Sequence, residues 1–117
     1  MKFTNAQMHE SLQILIQAEE EGFLGYAIAK NRRKLADELP EYLAKRDELL
    51  AKYGTPDEPG KYTFTPEAAQ QFSAELRPYA DMTTDVAVIQ VSAEEFCSGS
   101  LTSSQMYVLD WMVKEGD

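Results

Sequence analysis

The chain is poor in the residues that usually announce chemistry: among 117 residues it has one cysteine, Cys97, one histidine, His9, and one tryptophan, Trp111. A lone cysteine forms no intrachain disulfide, and Cys97 with His9 falls short of the four Cys or His ligands of a structural zinc site. No apolar run approaches the length needed to cross a bilayer, and residues 1–5 carry no signal-peptide pattern. Glycine-rich phosphate loops of either common spacing are missing, so nucleotide binding has no support in the sequence. These absences set the expectations: no metal, no cofactor, no membrane, and a cytoplasmic location.

What is present suits one ordered core. Hydrophobic residues make up 44% of the sequence and run along all of it, and a chain of this length rarely divides, so residues 1–117 read as a single domain. The formal charge of -9 is uneven. Residues 1–22 hold one basic and four acidic groups, residues 23–53 seven basic and five acidic, and residues 54–117 three basic and eleven acidic. An acidic C-terminal half repels phosphate backbones, which disfavours direct nucleic-acid binding and makes a basic protein surface the more natural partner.

Along the chain, Thr4 and Gln7 form a capping box, with Phe3 stapling onto Met8, so a helix is predicted from Asn5 to near Glu21 and a glycine stop at Gly22. From Leu24 to Gly54 the periodicity is again helical. Ile28, Leu35, Tyr42 and Leu49 recur every seven residues, as in helices packed side by side, and Pro40 predicts a kink near Leu39 or a break into two helices. Residues 54–60 are dense in turn formers and read as a surface loop. Tyr62 and Phe64 alternate with polar residues and predict a short strand, paired with a β-branched strand over residues 85–92. Thr65, Pro66 and Glu67 open a helix ending near Tyr79. Ser92 with Glu95, and Thr102 with Gln105, start two short C-terminal helices, the last carrying Met106, Leu109, Trp111, Met112 and Val113. The fold class is α+β, mainly α: an antiparallel helical hairpin with a long kinked second helix, a two-stranded β ribbon and short C-terminal helices.

The stretch Ile28, Ala29, Lys30, Asn31 with Leu35, Glu38, Leu39 and Leu49, followed by Lys52, Tyr53, Gly54, Asp57, Glu58 and Gly60, resembles short phage and prophage proteins of unknown function. The resemblance continues through Phe72, Glu75, Leu76, the run from Val86 to Val91 and that from Leu101 to Leu109, covering about three quarters of the chain. It implies a viral or prophage origin and a bacterial host cytoplasm, and it supplies no catalytic residues.

Few side chains are candidates for a site. Cys97 and His9 lie at opposite ends of the sequence, Cys97 reads as a packed small hydrophobe beside Phe96, and His9 as an exposed residue of the first helix. With no acid, base and nucleophile set to name, an enzyme is not expected. Glu19, Glu20 and Glu21 read as a solvated helix end. Lys30, Arg32, Arg33 and Lys34 form the main basic stretch; they pair with Asp37, Glu38 and Glu41, or else contact an anion or RNA, a reading weakened by the lack of interleaved aromatics. An acidic face of Asp57, Glu58, Glu67, Glu75, Asp81, Asp85, Glu94 and Glu95 is either solubilising surface or a mimic of a phosphate backbone. Trp111 and Met112, beside Met106 and Tyr107, are the residue types of a protein interface or a core.

The function expected from these features is non-enzymatic: a small phage or prophage accessory protein that binds and inhibits a bacterial defence protein, in the manner of an anti-CRISPR or other anti-defence inhibitor. Its partner then has a basic surface, such as a nucleic-acid-handling defence effector. Two alternatives stay open, a virion tail accessory or assembly protein, which could be a homo-oligomer, and a sponge for a small signalling nucleotide.

Overall fold

The first ordered feature is the predicted cap. The Thr4 hydroxyl accepts from the Gln7 amide at 3.0 Å and the Gln7 side chain accepts from the Thr4 amide at 2.8 Å, which satisfies two helix-end donors at once. Helix α1 (Asn5–Gln17) follows and buries Met8, Ser11, Leu12 and Leu15, one face of a 3.6-residue repeat. The computed structural model describes residues 1–114.

The helix stops at Gln17, four residues before the expected end. The link over residues 18–21 is held by tertiary contacts instead: the Glu20 carboxylate accepts from the amide and hydroxyl of Ser100 at 2.6 and 2.8 Å. The Glu20 carbonyl also lies over Gly25, where a Cβ would meet it at 2.1 Å, so only glycine fits there. Gly22, at φ 67°, turns the chain into helix α2 (Gly22–Glu38), and thus opens a helix where a stop was predicted.

The predicted long second helix is two helices. Leu39, fully buried, separates α2 from helix α3 (Pro40–Tyr53), and Pro40 takes the first helical position, where a missing N–H leaves nothing unpaired. Ile28, Leu35, Tyr42 and Leu49 are all buried, so the seven-residue repeat does mark the packed face. It serves two partners: α2 lies along α1, and α3 packs against helix α4 (Pro66–Ala80).

The sheet pairing differs from the prediction. Strand β1 (Lys2–Thr4) pairs antiparallel with β4 (Thr83–Asp85), Phe3 opposite Thr84. Strands β2 (Thr55–Glu58) and β3 (Lys61–Thr63) form a separate hairpin turned at Gly60, φ 80°. The expected loop at residues 54–60 therefore holds a strand, and Tyr62 pairs with Pro56 and not with residues 85–92. Every residue of β2 is exposed, so no alternation of apolar residues marked it. The fold is α+β and mainly α, with six helices and two two-stranded antiparallel sheets among the described residues.

The β-branched run that was expected as a strand over 85–92 is mostly irregular, because its backbone is paired with a side chain. Asn31, fully buried on α2, donates from Nδ2 to the Ile89 carbonyl at 2.9 Å and accepts on Oδ1 from the Ile89 amide at 2.8 Å. Two residues on, Val91 bridges Val113: the Val91 amide donates to the Met112 carbonyl at 2.7 Å, and the Lys114 amide donates to the Val91 carbonyl at 2.9 Å.

The capped helices α5 (Ala93–Cys97) and α6 (Ser103–Val108) then cross the core, followed by a 3₁₀ turn (Asp110–Met112). Phe3, Met8, Leu15, Leu24, Ile28, Leu35, Leu39, Val91, Leu109 and Met112 join one apolar cluster. Replacing Asn31 by Ala leaves the part-buried amide and carbonyl of Ile89 without their partner. At about 1–3 kcal/mol for each of the two orphaned groups, Asn31→Ala should lower the unfolding free energy by about 2–6 kcal/mol, read from the urea midpoint at unchanged m-value.

Candidate functional site

The C-terminal aromatic cluster divides between core and surface. Met112 is completely buried, which corrects its reading as an interface residue: the 3₁₀ turn points it into the core beside Leu109. Trp111 is half-buried. Its indole N–H donates to the Ser11 hydroxyl at 3.1 Å, and its ring meets Phe3 edge-on with centroids 5.2 Å apart. These contacts tie the end of the chain to β1 and α1, so Trp111 acts as a strut. The predicted last helix breaks at Leu109, and Tyr107, within its first part, is 82% exposed. Between them runs a groove of about 360 Å³ lined by Lys2, Gln7, Glu10, Ser11, Tyr107, Asp110 and Trp111, with charges of both signs in its wall.

The acidic residues are spread over the β2–β3 hairpin, α4, β4 and α5, and several are engaged locally. Glu58 pairs with Lys61 at 3.5 Å, Asp85 with the Met1 amine at 2.6 Å, and the Ser92 hydroxyl donates to Glu95 at 3.1 Å. Glu75 accepts from the Tyr53 hydroxyl and pairs with Lys52 at 3.4 Å; the Tyr53 hydrogen bond first, then Lys52, holds its carboxyl below the usual carboxylate range. Asp57, Glu67, Asp81 and Glu94 are exposed and have no cation within ion-pair distance among the described residues. Glu67 lies in the first turn of α4, where the helix dipole favours a negative charge.

The basic stretch differs from its sequence reading in two respects. Among the described residues, Lys30, Arg32, Arg33 and Lys34 make no ion pair with Asp37, Glu38 or Glu41. Such surface pairs are worth only a few tenths of a kcal/mol, too little to hold long side chains in place. Lys30 instead lies over the Tyr26 ring, 5.7 Å from its centroid. Nor are aromatics missing: Phe23 and Tyr26, 48% and 53% exposed, stack at 6.2 Å with 23° between their planes. At 100° per residue Phe23, Tyr26, Lys30 and Arg33 share one side of α2 while Arg32 lies well round from them, so the four cations form no single cradle.

His9 and Cys97 are not joined. His9 sits on α1, half-buried and not exposed as predicted, edge-on to Tyr42 at 6.1 Å, with Nε2 3.2 Å from Gln13 Nε2. Cys97, predicted as packed, is exposed at the last position of α5, because Phe96 takes the core position. Among the described residues, no three His, Cys, Asp or Glu side chains gather to hold a metal ion, and no helix is long and apolar enough to cross a membrane.

No family model matches the chain, and no curated protein and no solved structure matches it either.

The sharpest electrostatic consequence concerns His9. Burial lowers its pKa, the nearby Arg46 lowers it further, and Asp47 opposes them in part. The folded state thus resists protonation more than the unfolded chain does. The associated stability is whole above the ordinary histidine pKa of about 6.5 and is lost as pH falls through it towards the lower folded-state value. In urea unfolding at a series of pH values, the wild type should lose stability more steeply than His9→Gln as pH falls below about 6.5. Parallel curves would show that His9 titrates alike in both states.

Proposed function

We propose that the protein works by protein–protein contact, as a small non-enzymatic inhibitor of phage or prophage origin that engages the basic surface of a bacterial defence protein in the host cytoplasm. The observation that carries this reading is that four exposed acids of the second half of the chain, Asp57, Glu67, Asp81 and Glu94, have no cation partner among the described residues, on a chain of net charge -9. Charge of this kind, left unneutralised within the molecule, raises the encounter rate with a cationic groove and disfavours partners of like sign. Partial mimicry of a phosphate backbone follows if the partner's groove normally holds nucleic acid. The phage origin rests on the resemblance of residues 28–60 and the matching positions beyond them to phage and prophage proteins.

The test is affinity capture from a lysate of a bacterium that carries nucleic-acid-targeting defence systems. It compares the wild type with a fourfold variant, Asp57→Asn, Glu67→Gln, Asp81→Asn and Glu94→Gln. Between about 0.1 M and about 1 M salt the screening length drops from about 10 Å to about 3 Å. A defence effector recovered by the wild type at low salt should fall roughly tenfold at high salt and by a similar factor with the variant, a loss of about 1.4 kcal/mol. Recovery indifferent to both salt and variant would contradict the reading.

A further inference from the structure

Helix α2 carries an apolar stripe that packs into the core and a second stripe, of aromatic and charged residues, that packs against nothing among the described residues. Leu24, Ala27, Ile28, Asn31 and Leu35 face the core. The second stripe runs Phe23, Tyr26, Lys30, Arg33 and Asp37, alternately three and four residues apart, the spacing that presents one seam to a facing helix. Its two aromatics are about half exposed and already stacked on each other, so their rotamers are ordered before anything binds.

The charges along this stripe have a direction. Glu19 and Glu21, both exposed, lie in the link just before α2; the aromatic pair comes next, and Lys30 and Arg33 lie about one to two turns beyond Tyr26. Among the described residues none of these four charged groups has an ion-pair partner. From Glu19 to Arg33 the order is acidic, aromatic, basic, with Asp37 beyond the last cation, and that stretch is complementary to itself when turned end for end. A two-fold axis near Tyr26 sets the acids of one copy against the cations of the other and buries the aromatics at the centre.

We infer that α2 is the self-association surface of this protein, through which two copies pair antiparallel as a weak homodimer. A single-stranded nucleic acid would satisfy the aromatics and the cations, but it would meet Glu19 and Glu21 in the link just before the helix and a molecule of net charge -9. The strip is one helix face, with less area than the roughly 800 Å² per partner of a standard interface, so the dimer is transient. This surface uses none of the acids on which the proposed inhibitory function rests.

Sedimentation of the purified full chain from about 1 µM to about 1 mM tests it, a range wide enough for a weak interface. The wild type should associate reversibly to a dimer. Phe23→Asp with Tyr26→Asp should raise the dissociation constant at least tenfold, with the helical circular dichroism unchanged because both residues are exposed. Reversing the cations, Lys30→Glu with Arg33→Glu, should weaken association similarly, as should reversing the acids, Glu19→Lys with Glu21→Lys. All four changes together should restore it.

A wild type that stays monomeric throughout overturns the inference, as does an aromatic variant that associates normally. A fourfold variant no better than the two charge reversals overturns it too. A monomer that binds a fluorescent oligouridylate through Phe23, Tyr26, Lys30 and Arg33 assigns the strip to nucleic acid and likewise overturns it.

Discussion

The contact on which the rest of the molecule depends is the pair of hydrogen bonds between the buried Asn31 side chain and the backbone of Ile89. A buried amide side chain is costly unless its donor and acceptor are both satisfied, and here one residue satisfies both. The pairing does for residues 86–90 what a neighbouring strand would have done. It seats them against α2 with Val86 and Val91 in the core, and Val91 in turn receives the backbone of Met112 and Lys114. Through that bridge the C-terminal turn closes over α1, where Trp111 meets Ser11 and Phe3. A contact between positions 58 residues apart thus organises how residues 110–114 pack against β1 and α1.

The signals that were legible in the sequence are the local ones. Thr4 with Gln7, Thr65, Ser92 and Thr102 with Gln105 all cap helices where their spacing said they would, because a cap is decided within four residues. The heptad of Ile28, Leu35, Tyr42 and Leu49 named buried positions correctly. What failed was long-range. The run at 85–92 has the composition of a strand, and nothing local reveals that Asn31 will pair its backbone. β2 is exposed throughout and Pro-rich, so its pairing comes from the turn at Gly60 and not from any apolar pattern.

The same limit governs the candidate sites. Residue type alone grouped Trp111 with Met112, whereas the turn at residues 110–112 sends Met112 fully into the core and holds Trp111 as a strut. The four cations of α2 were judged without Phe23 and Tyr26 because those lie a turn or two earlier; the helix period was the signal that could have joined them. Exposed Cys97 and half-buried His9 reversed their expected places because a helix of five residues and a facing Tyr42 decide their exposure. Asp57, Glu67, Asp81 and Glu94 are no part of the strip on α2, which allows binding and self-association to be separated by mutation.

The central claim, that Asn31 fixes residues 86–91 against the core, is tested most directly by native-state hydrogen exchange at the Ile89 amide. The account predicts that it exchanges only on global unfolding, with the same opening free energy as the core amides of α1. Exchange at the rate of an exposed loop, while the α1 amides stay protected, would contradict it.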